Sequence, residues 1–156
     1  MLVNNAGIPA GAPIEDAGYG DVWQGALDVM LTGMTLTIRA ALGHLRASSA
    51  GRIVNVSSTE GVGGSPSTSA YTAAKHGVVG LTRALAVELG ETGITVNAVG
   101  PGPIDTGMTA VIPEEAKVKF ARRRVPARRY AEPEEVGPTA SSIWPCRHRA
   151  TSPATC

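Results

Sequence analysis

The stretch RIVNVSSTEGVGGSPSTSAYTAAKHGVVGLTRALAVELGETGITVNAV, residues 52–99, decides the fold of this chain. Its first part, Arg52–Ser57, carries Ile53, Val54 and Val56 and predicts a strand buried on both faces, as central strands of parallel sheets are. Helical spacing of apolar residues then predicts a helix from Ser69, a candidate N-cap, to about Leu89. A second strand is predicted over Ile94–Val99. This alternation of strand and helix predicts a parallel sheet with helices packed on its faces.

The same stretch carries three groups that could perform chemistry: the Ser58 hydroxyl, the Tyr71 phenol and the Lys75 ammonium. Tyr71 and Lys75 are four residues apart, so a helix places them on one face, one turn apart. A cation beside a phenol lowers the pKa of the phenol, which could then exchange a proton with a substrate near neutral pH. The alternative is a surface helix that carries a tyrosine and a lysine without catalytic purpose.

Further elements are predicted on both sides of this stretch. A short strand ends at Leu2-Val3, and a long helix is predicted from about Asp16, as its N-cap, to Arg46. Gly25 and Gly33 weaken the continuity of that helix. Pro113-Glu114-Glu115 and Glu132–Val136 are typical helix starts. Residues 107–131 are expected to form a mobile cap over a substrate.

Composition limits the possible functions of the chain. Its 156 residues are enough for one domain, and 43% of them are apolar, which is sufficient for a core. A net charge of +1 and an aromatic content of 4% give no indication of nucleic acid binding or of an anionic membrane surface. Neither a metal-ligand cluster nor a disulfide framework is evident, and the two cysteines, Cys146 and Cys156, fit a reducing, cytoplasmic location. No apolar run is predicted to cross a membrane.

Several motifs agree with the Ser58, Tyr71 and Lys75 spacing in order and distance, and together they resemble the short-chain dehydrogenase/reductase family. They are LVNNAG at 2–7, RIVNVSS at 52–58, VNAV at 96–99 and PGPIDT at 101–106. The resemblance covers residues 1–136 and implies an α/β fold, a partial Rossmann-type doubly wound parallel sheet. It implies that the N-terminal βαβ units and the last strand of that sheet are missing.

The resemblance also implies roles for the three reactive groups. Tyr71 would exchange the proton, Lys75 would lower the pKa of Tyr71 and hold the cofactor ribose, and Ser58 would bind the substrate oxygen. The family usually has an asparagine at the position of Met30, where it completes a tetrad and holds a proton-relay water. A thioether is a weak acceptor, so Met30 puts that relay in doubt. Asn55 is expected to bridge backbone groups, and Glu60 to be a solvated loop carboxylate.

By the same resemblance, the cofactor would be NAD or NADP. Asn4, Ala6 and Gly7 would lie under it near the adenosine ribose, and Tyr71 and Lys75 would contact it in the centre of the site. The remaining contacts are expected from the PGPIDT loop, where the backbone at Ile104 and the Thr106 hydroxyl would bind the nicotinamide carboxamide, with contributions from Pro101 and Gly102.

The activity predicted from the resemblance is interconversion of a carbonyl and an alcohol, with 3-oxoacyl-carrier-protein reductases the most similar subgroup. Steroids, sugars and secondary alcohols remain open as substrates, and an Arg cluster at 122–124 could meet an anionic carrier. The two long helices suggest a homo-oligomer, a dimer or a tetramer, in the intact parent. The alternative is an inactive fragment or a non-catalytic partner of intact homologues.

Both ends depart from the family pattern. The Gly-rich turn that binds pyrophosphate lies upstream of such an Asn-Asn-Ala-Gly motif in the family, so we expect a truncated start, weak cofactor affinity and an unstable or inactive isolated chain. Residues 137–156 are expected to be an aberrant, disordered tail. GC-rich codons for Ile143–Cys156 can encode a Val-Thr-Gly segment one frame over, which predicts a frameshift near Gly137-Pro138.

Overall fold

A computed structural model describes the backbone of residues 1–141 and the side chains of residues 1–137. Strand β1 is Leu2–Asn4, and one long helical segment follows as α1 (Tyr19–Leu27), a π-helical turn (Asp28–Thr32) and α2 (Gly33–Ala47). Then come β2 (Arg52–Val56), a 3₁₀ turn (Thr59–Gly61), α3 (Ser69–Gly90) and β3 (Thr95–Val99). The last described elements are α4 (Glu114–Arg124) and α5 (Pro133–Ser141).

The three strands form one parallel sheet in the order β1-β2-β3. Leu2 lies opposite Ile53 and Asn4 opposite Asn55, while Ile53 also lies opposite Val96. All three strands point the same way, so their carboxyl ends and the loops that follow them meet at one edge of the sheet, where ligands bind in open α/β sheets. The predicted parallel sheet and the predicted Rossmann-type class are confirmed.

The main core lies between this sheet and the two long helices. Ile53 and Val96 pack with side chains of α2 and α3 that are almost inaccessible to solvent: Met34, Ile38, Leu45, Val78 and Leu89. Val3 alternates with the core-facing Leu2 and Asn4 and is 44% exposed on the opposite face. Burial of these side chains against the sheet fixes both helices in place, and with them the residues that follow the strands.

A buried polar chain crosses the same core. The Asn4 side-chain amide donates to Asn55 Oδ1 at 2.9 Å, and the Asn55 amide donates to Thr82 Oγ1 at 2.9 Å. Thr82 in turn donates to the Val78 carbonyl at 2.7 Å. Asn55 therefore bridges side chains of β1 and α3, and the expectation that it bridges backbone groups is wrong. Buried amides must find partners, and here they pair strand to strand and strand to helix.

The helix boundaries correct two sequence predictions. The first long helix begins at Tyr19, because Asp16 is used one turn earlier: its Oδ1 accepts the Gly18 backbone N–H at 2.7 Å. The second begins at Ser69, whose hydroxyl bonds the Tyr19 hydroxyl at 2.8 Å, so Thr68 occupies the N-cap position. The predicted helix starts at Glu114 and Pro133 are confirmed.

The π-helical turn is the main feature of the long helix that was not predicted. The Gly33 N–H bonds the Asp28 carbonyl, five residues back, in place of the usual four. A Cβ on Gly33 would lie 3.1 Å from that carbonyl oxygen, so the missing side chain allows the wide turn. Of the two Gly residues flagged in the sequence, Gly33 marks this interruption, while Gly25 lies within the regular helix α1. Met30 lies at the centre of the wide turn.

The segment Tyr19–Ala47 is the one candidate for a membrane span among the described residues, by length and composition alone. A single such helix is weak evidence, because core helices pass the same test. Here Met34, Ile38 and Leu45 of the segment are buried in the core against the sheet.

The expected boundary at residue 136 falls inside helix α5, which continues to Ser141. The predicted disordered tail therefore begins as helix over residues 137–141, and its remainder, with the predicted frameshift product, lies outside the described residues.

Candidate active site

Ser58 is the second residue after β2 and is held at the edge of the sheet by backbone hydrogen bonds. The Ser57 N–H donates to the Val99 carbonyl at 2.8 Å, and the Thr59 N–H donates to the Pro101 carbonyl at 3.0 Å. The Ser58 hydroxyl accepts the Glu60 N–H at 3.2 Å and so caps the short 3₁₀ turn. These contacts fix Ser58 between the loops that follow β2 and β3.

Gly61 allows that turn to lie directly on helix α3. A Cβ at Gly61 would be 2.4 Å from Ser57 Oγ and 3.0 Å from the Lys75 carbonyl oxygen. The Ser57 hydroxyl uses the same space, since it donates to that carbonyl at 3.1 Å. Only a residue without a side chain lets the backbone approach this closely. The turn that carries Ser58 is thereby brought beside the first turns of α3.

Tyr71 and Lys75 lie on those first turns, as the sequence predicts. The Tyr71 side chain hydrogen-bonds Ser58. The Lys75 ammonium lies 5.5 Å from the centroid of the Tyr71 ring and donates to the Val56 carbonyl at 2.8 Å. Lys75 is only 4% exposed, and Tyr71 is half-buried. The structure therefore brings Ser58, Tyr71 and Lys75 together at the carboxyl edge of the sheet.

The electrostatics of Tyr71 differ from the prediction. Burial raises the pKa of the Tyr71 phenol above its usual range, the hydrogen bond from Ser58 opposes this, and the Glu60 carboxylate raises the pKa further. Burial also lowers the pKa of Lys75. The expectation that Lys75 lowers the pKa of Tyr71 is wrong for this state of the protein. The ammonium faces the ring and the Val56 carbonyl.

Glu60 is not the solvated loop carboxylate that the sequence suggested. Its Oε1 accepts the Ser65 hydroxyl at 2.8 Å, and its Oε2 accepts the Thr72 hydroxyl at 3.0 Å. Thr68 Oγ1 lies 3.4 Å from Oε2. Sequence reasoning missed this cluster because its members are five to twelve residues from Glu60 and meet only when the loop folds back onto α3.

The residues predicted near the adenosine ribose lie at the end of β1, where Asn4 is the last residue, and in the turn that follows it. Asn4 is buried, and its side chain is turned inward to Asn55. Beside it, a cavity of about 400 Å³ is lined on one side by Asn5 and Ala6 and on the other by Val29 and Gly33 of the long helix. The Asn4 side chain thus binds Asn55 inside the sheet, and Asn5 and Ala6, which follow it, line the cavity.

Met30 is fully buried, at the position where the resemblance implies an asparagine. It packs with a group of small side chains, Ala10, Ala26, Ala70 and Ala74. A Cβ on Gly7 would lie 4.0 Å from its sulfur. The site therefore has an apolar floor here, and the Met30 thioether fills it.

The loop after β3 is held by backbone contacts and by one threonine. Ile104 bridges to Ala131, and the Thr109 hydroxyl accepts the Thr106 N–H at 3.0 Å and lies 2.9 Å from the Ile104 carbonyl. Thr109 was not singled out from the sequence, although a hydroxyl three residues after Thr106 is a common turn partner. The Thr106 side chain is exposed, and nothing lies within 4 Å of a Cβ added to Gly102.

A buried lysine ties this loop to the helix beyond it. Lys117 on α4 donates to Asp105 Oδ1 at 2.7 Å, is 8% exposed, and lies 5.8 Å from the Tyr130 ring centroid. The Asp105 N–H also donates to the Ala131 carbonyl at 2.8 Å. Residues 105, 117 and 131 thus connect the loop to the segment predicted as a cap.

Comparison with known proteins identifies the family. A family model for short chain dehydrogenases matches residues 1–117. The chain belongs to the short chain dehydrogenase family. The resemblance drawn from the sequence is thereby confirmed. Short chain dehydrogenases are oxidoreductases that use NAD or NADP, act on small molecules and are typically oligomeric.

Among curated short chain dehydrogenases, a 3-oxoacyl-[acyl-carrier-protein] reductase of Synechocystis is 40% identical over 99% of this chain and 58% of its own length. A 3-alpha-(or 20-beta)-hydroxysteroid dehydrogenase of Mycobacterium bovis is 46% identical over 74% of this chain and 44% of its own. This chain therefore spans about half the length of the curated relatives it matches.

A solved structure shares the fold. The structure of a putative NAD(P)-dependent gluconate 5-dehydrogenase from Beutenbergia cavernae, with bound NADP, has a TM-score of 0.80 and 42% identity to this chain. The match covers 89% of this chain and 56% of that one. Within residues 1–141, nothing lies within 4 Å of a Cβ added to Gly102 and the Thr106 side chain is exposed, so the loop after β3 leaves room for a nicotinamide cofactor at the carboxyl edge of the sheet.

Proposed function

We propose that this chain carries the proton-transfer site of an NAD(P)-dependent oxidoreductase that interconverts a carbonyl and an alcohol. The observation that supports it most is the hydrogen-bonded pair of Ser58 and Tyr71, with the Lys75 ammonium 5.5 Å from the Tyr71 ring centroid. This group lies where the loops after β2 and β3 meet. A proton donor must be within hydrogen-bond reach of the reacting oxygen, and a substrate oxygen bound by Ser58 would be within reach of Tyr71.

Each residue has a separate task in this proposal. The Ser58 hydroxyl binds the substrate oxygen, and the Tyr71 hydroxyl gives or takes the proton at that oxygen. Lys75 is anchored by the Val56 carbonyl and offers its remaining N–H bonds to the ribose of the cofactor. When bound, NAD or NADP supplies or accepts the hydride. Ala6 and Gly7 would lie on the ribose side, with the buried Asn4 supporting them from inside the sheet, and Pro101, Gly102, Ile104 and Thr106 would lie on the nicotinamide side.

The raised pKa of Tyr71 determines which direction of the reaction finds the phenol in the protonation state that it needs at neutral pH. At neutral pH the phenol is protonated, so it is ready to donate a proton when a carbonyl is reduced. Alcohol oxidation needs the phenolate and should require a higher pH. We therefore expect the rate of alcohol oxidation to rise with pH more steeply than the rate of carbonyl reduction.

For the substrate we propose a 3-oxoacyl thioester, bound to a carrier protein or coenzyme A. The reductase of Synechocystis, which matches 99% of this chain, supports this choice. The basic last turn of α4, formed by Arg122, Arg123 and Arg124, could meet an anionic carrier. Steroids and sugars remain the alternative substrates, and the hydroxysteroid dehydrogenase relative supports the first of them. A cytoplasmic location fits this chemistry.

The decisive experiment is reduction of an acetoacetyl thioester with NADPH or NADH by the full chain. Tyr71→Phe removes the proton donor and should lower kcat by about 10²–10⁴-fold. Tyr130→Phe is the matched control, because it removes a phenol outside the Ser58 cluster and should leave most of the activity. Equal rates for the two variants would refute the role of Tyr71. Steroid and sugar substrates in the same assay test the alternatives.

A second candidate is a non-catalytic partner that pairs with longer homologues through α2 and α3. Met30 favours it, because a buried thioether among alanines cannot hold the relay water implied by the family pattern. Fluorescence of NADPH separates the two candidates. A change in emission on adding the chain supports the enzyme, and unchanged emission with retained pairing to a homologue supports the partner.

A further inference from the structure

Glu60 is a half-buried carboxylate beside the site that proton transfer does not use. Among the described residues, no Lys, Arg or His side chain forms a salt bridge with it. Its oxygens are held by hydroxyl groups: Oε1 by Ser65 at 2.8 Å, and Oε2 by Thr72 at 3.0 Å and Thr68 at 3.4 Å. A carboxylate taken partly out of water needs such donors, so the loop is arranged around this side chain.

Counting hydrogens identifies the donors. Each hydroxyl has a single hydrogen to give. Thr68 has a better acceptor in the Ser65 carbonyl at 2.8 Å, so its 3.4 Å approach to Glu60 is secondary. Thr72 Oγ1 also lies 3.1 Å from Thr68 Oγ1, but the charged Glu60 oxygen at 3.0 Å is the stronger acceptor for its hydrogen. Ser65 and Thr72 are therefore the two groups that donate to the carboxylate. One lies in the loop, and the other lies in the first turn of α3, next to Tyr71.

The backbone of Glu60 contacts the site as well. Its N–H donates to the Ser58 hydroxyl at 3.2 Å, and Ser58 hydrogen-bonds Tyr71. Glu60 thus reaches the substrate-binding hydroxyl through its backbone and the helical turn of the phenol through its side chain. The loop has a second anchor, because the Ala12 N–H donates to the Ser67 carbonyl at 2.8 Å and Ser67 takes a left-handed φ of 59°.

We propose that Glu60 is a positioning residue of this site: its carboxylate binds Ser65 and Thr72, holds the 59–68 loop against the first turn of α3, and fixes Ser58 and Tyr71 relative to each other. The inference rests on the proposed function, in which Ser58 binds the substrate oxygen and Tyr71 transfers the proton. The charge of Glu60 has a second effect, because an anion near a phenol favours the protonated form. Glu60 therefore helps keep Tyr71 protonated.

The other ionisable groups around Tyr71 come from several elements. On α3, Lys75 donates to the Val56 carbonyl, and the exposed His76 ring bonds the Thr72 carbonyl through Nδ1. On α1, the Tyr19 hydroxyl bonds Ser69. In the π-helical turn, Asp28 is exposed and accepts the Gln24 amide. Residues 8–12, which also pack near the ring, carry no charge.

The first test measures Tyr71 ionisation directly in the full chain, without cofactor or substrate. Tyrosinate absorbance is titrated against pH, and the Tyr71→Phe curve is subtracted to isolate Tyr71. In Glu60→Gln the amide can accept from Ser65 and donate to the Thr72 oxygen, so the contacts are kept while the charge is lost. We expect the pKa of Tyr71 to fall in this variant. Glu88→Gln, an exposed carboxylate on the same helix, is the control and should not shift it.

The second test separates position from charge through kinetics. Glu60→Ala removes both donor contacts and should raise KM several-fold more than it lowers kcat, because the loop loses its anchor. Glu60→Gln should keep KM near the wild-type value. Glu60→Asp retains the charge on a shorter arm, so it should raise KM and leave the pKa of Tyr71 raised.

The outcomes are separable. An unchanged Tyr71 titration in Glu60→Gln overturns the charge effect, and an unchanged KM in both Glu60→Ala and Glu60→Asp overturns the positioning role. If wild type reduces no carbonyl and oxidises no alcohol, the proposed function fails. The positioning role is then decided by protease cleavage within residues 62–68, which should be faster in Glu60→Ala than in Glu60→Gln. Equal cleavage of the two variants overturns it.

Discussion

At the scale of single residues, the absence of a side chain at Gly61 decides the geometry of the candidate site. Gly61 leaves room for the Ser57 hydroxyl and the Lys75 carbonyl, and this space lets the turn after β2 lie on α3. Ser58 and Tyr71 would otherwise be separated. A glycine in this position is therefore as much a part of the site as the groups that react.

Gly61→Ala tests this contact. The new Cβ would overlap Ser57 Oγ and crowd the Lys75 carbonyl, so the variant should lose roughly 1–3 kcal/mol of unfolding free energy, as overpacked sites do. Chemical denaturation measures the loss. Gly64→Ala is the matched control, because its nearest neighbour would be Thr72 Cγ2 at 3.9 Å, and it should stay within about 0.5 kcal/mol of wild type. Equal stability of the two variants would contradict the close approach.

The sequence was sufficient to predict Ser58, Tyr71 and Lys75 as a group, because helical spacing puts Tyr71 and Lys75 on one face and the surrounding family motifs mark the same three residues. It was not sufficient for the pKa of Tyr71. Burial and the orientation of the Lys75 ammonium decide that pKa, and both depend on packing between distant segments. The Glu60 cluster was missed for the same reason, since hydroxyls have no periodic pattern that marks a shared partner.

At the scale of elements, strands and helices were predicted well, and their ends less well. The long helix shows why: the wide turn at Asp28–Thr32 depends on a bond between Asp28 and Gly33 that replaces the regular pattern. The spacing of apolar residues in the sequence does not reveal such a change when it is confined to one turn. The N-caps were shifted for a related reason, since Asp16 and Ser69 found other hydrogen-bond partners.

The contact between the 125–131 segment and α5 gives a prediction at this scale. Both nitrogens of the Arg129 fork bind the Glu135 carboxylate, at 2.7 and 2.8 Å, and the Glu132 N–H adds a third donor. The Arg129 guanidinium first, and then this backbone bond, lower the pKa of Glu135 from 4.5 to about 2. Because the folded-state pKa is the lower one, the stabilisation is present above pH 4.5 and disappears as pH falls towards 2.

The melting temperatures of wild type and Glu135→Gln, measured across that pH range, should therefore converge as the pH is lowered. Glu134→Gln, one residue earlier in the same helical turn, is the control, and its melting temperature should stay at a constant difference from that of wild type. Because both charges of the pair are exposed, the difference should shrink in high salt. A gap between wild type and Glu135→Gln that persists at the lowest pH would contradict the role of this ion pair.

At the scale of the whole molecule, apolar side chains on the long helices remain open to solvent. Leu36 on α2 is 59% exposed, and Val87 on α3 is 74% exposed. Members of this family are typically oligomeric, and helix faces of this kind are suitable for pairing with a second copy.

Sedimentation should detect a dimer or tetramer of the full chain. The double variant Leu36→Glu with Val87→Glu should shift the sedimenting species towards monomer, because two buried carboxylates would oppose the helix contact between copies. Val111→Glu is the control: Val111 is 83% exposed but lies outside the long helices, so that variant should keep the wild-type mass. Identical masses for the double variant and the control would rule out pairing through these two residues.

The amide chain from Asn4 through Asn55 to Thr82 has a consequence for how the protein folds. Asn4 of β1 must find Asn55 of β2, 51 positions along the chain, which is a slow search for a parallel pair. A slip of one residue would turn the amides to the wrong face and leave them without partners in an apolar core. We therefore expect misaligned encounters to be short-lived, so that the amide pair selects the correct register of β1 against β2 during folding.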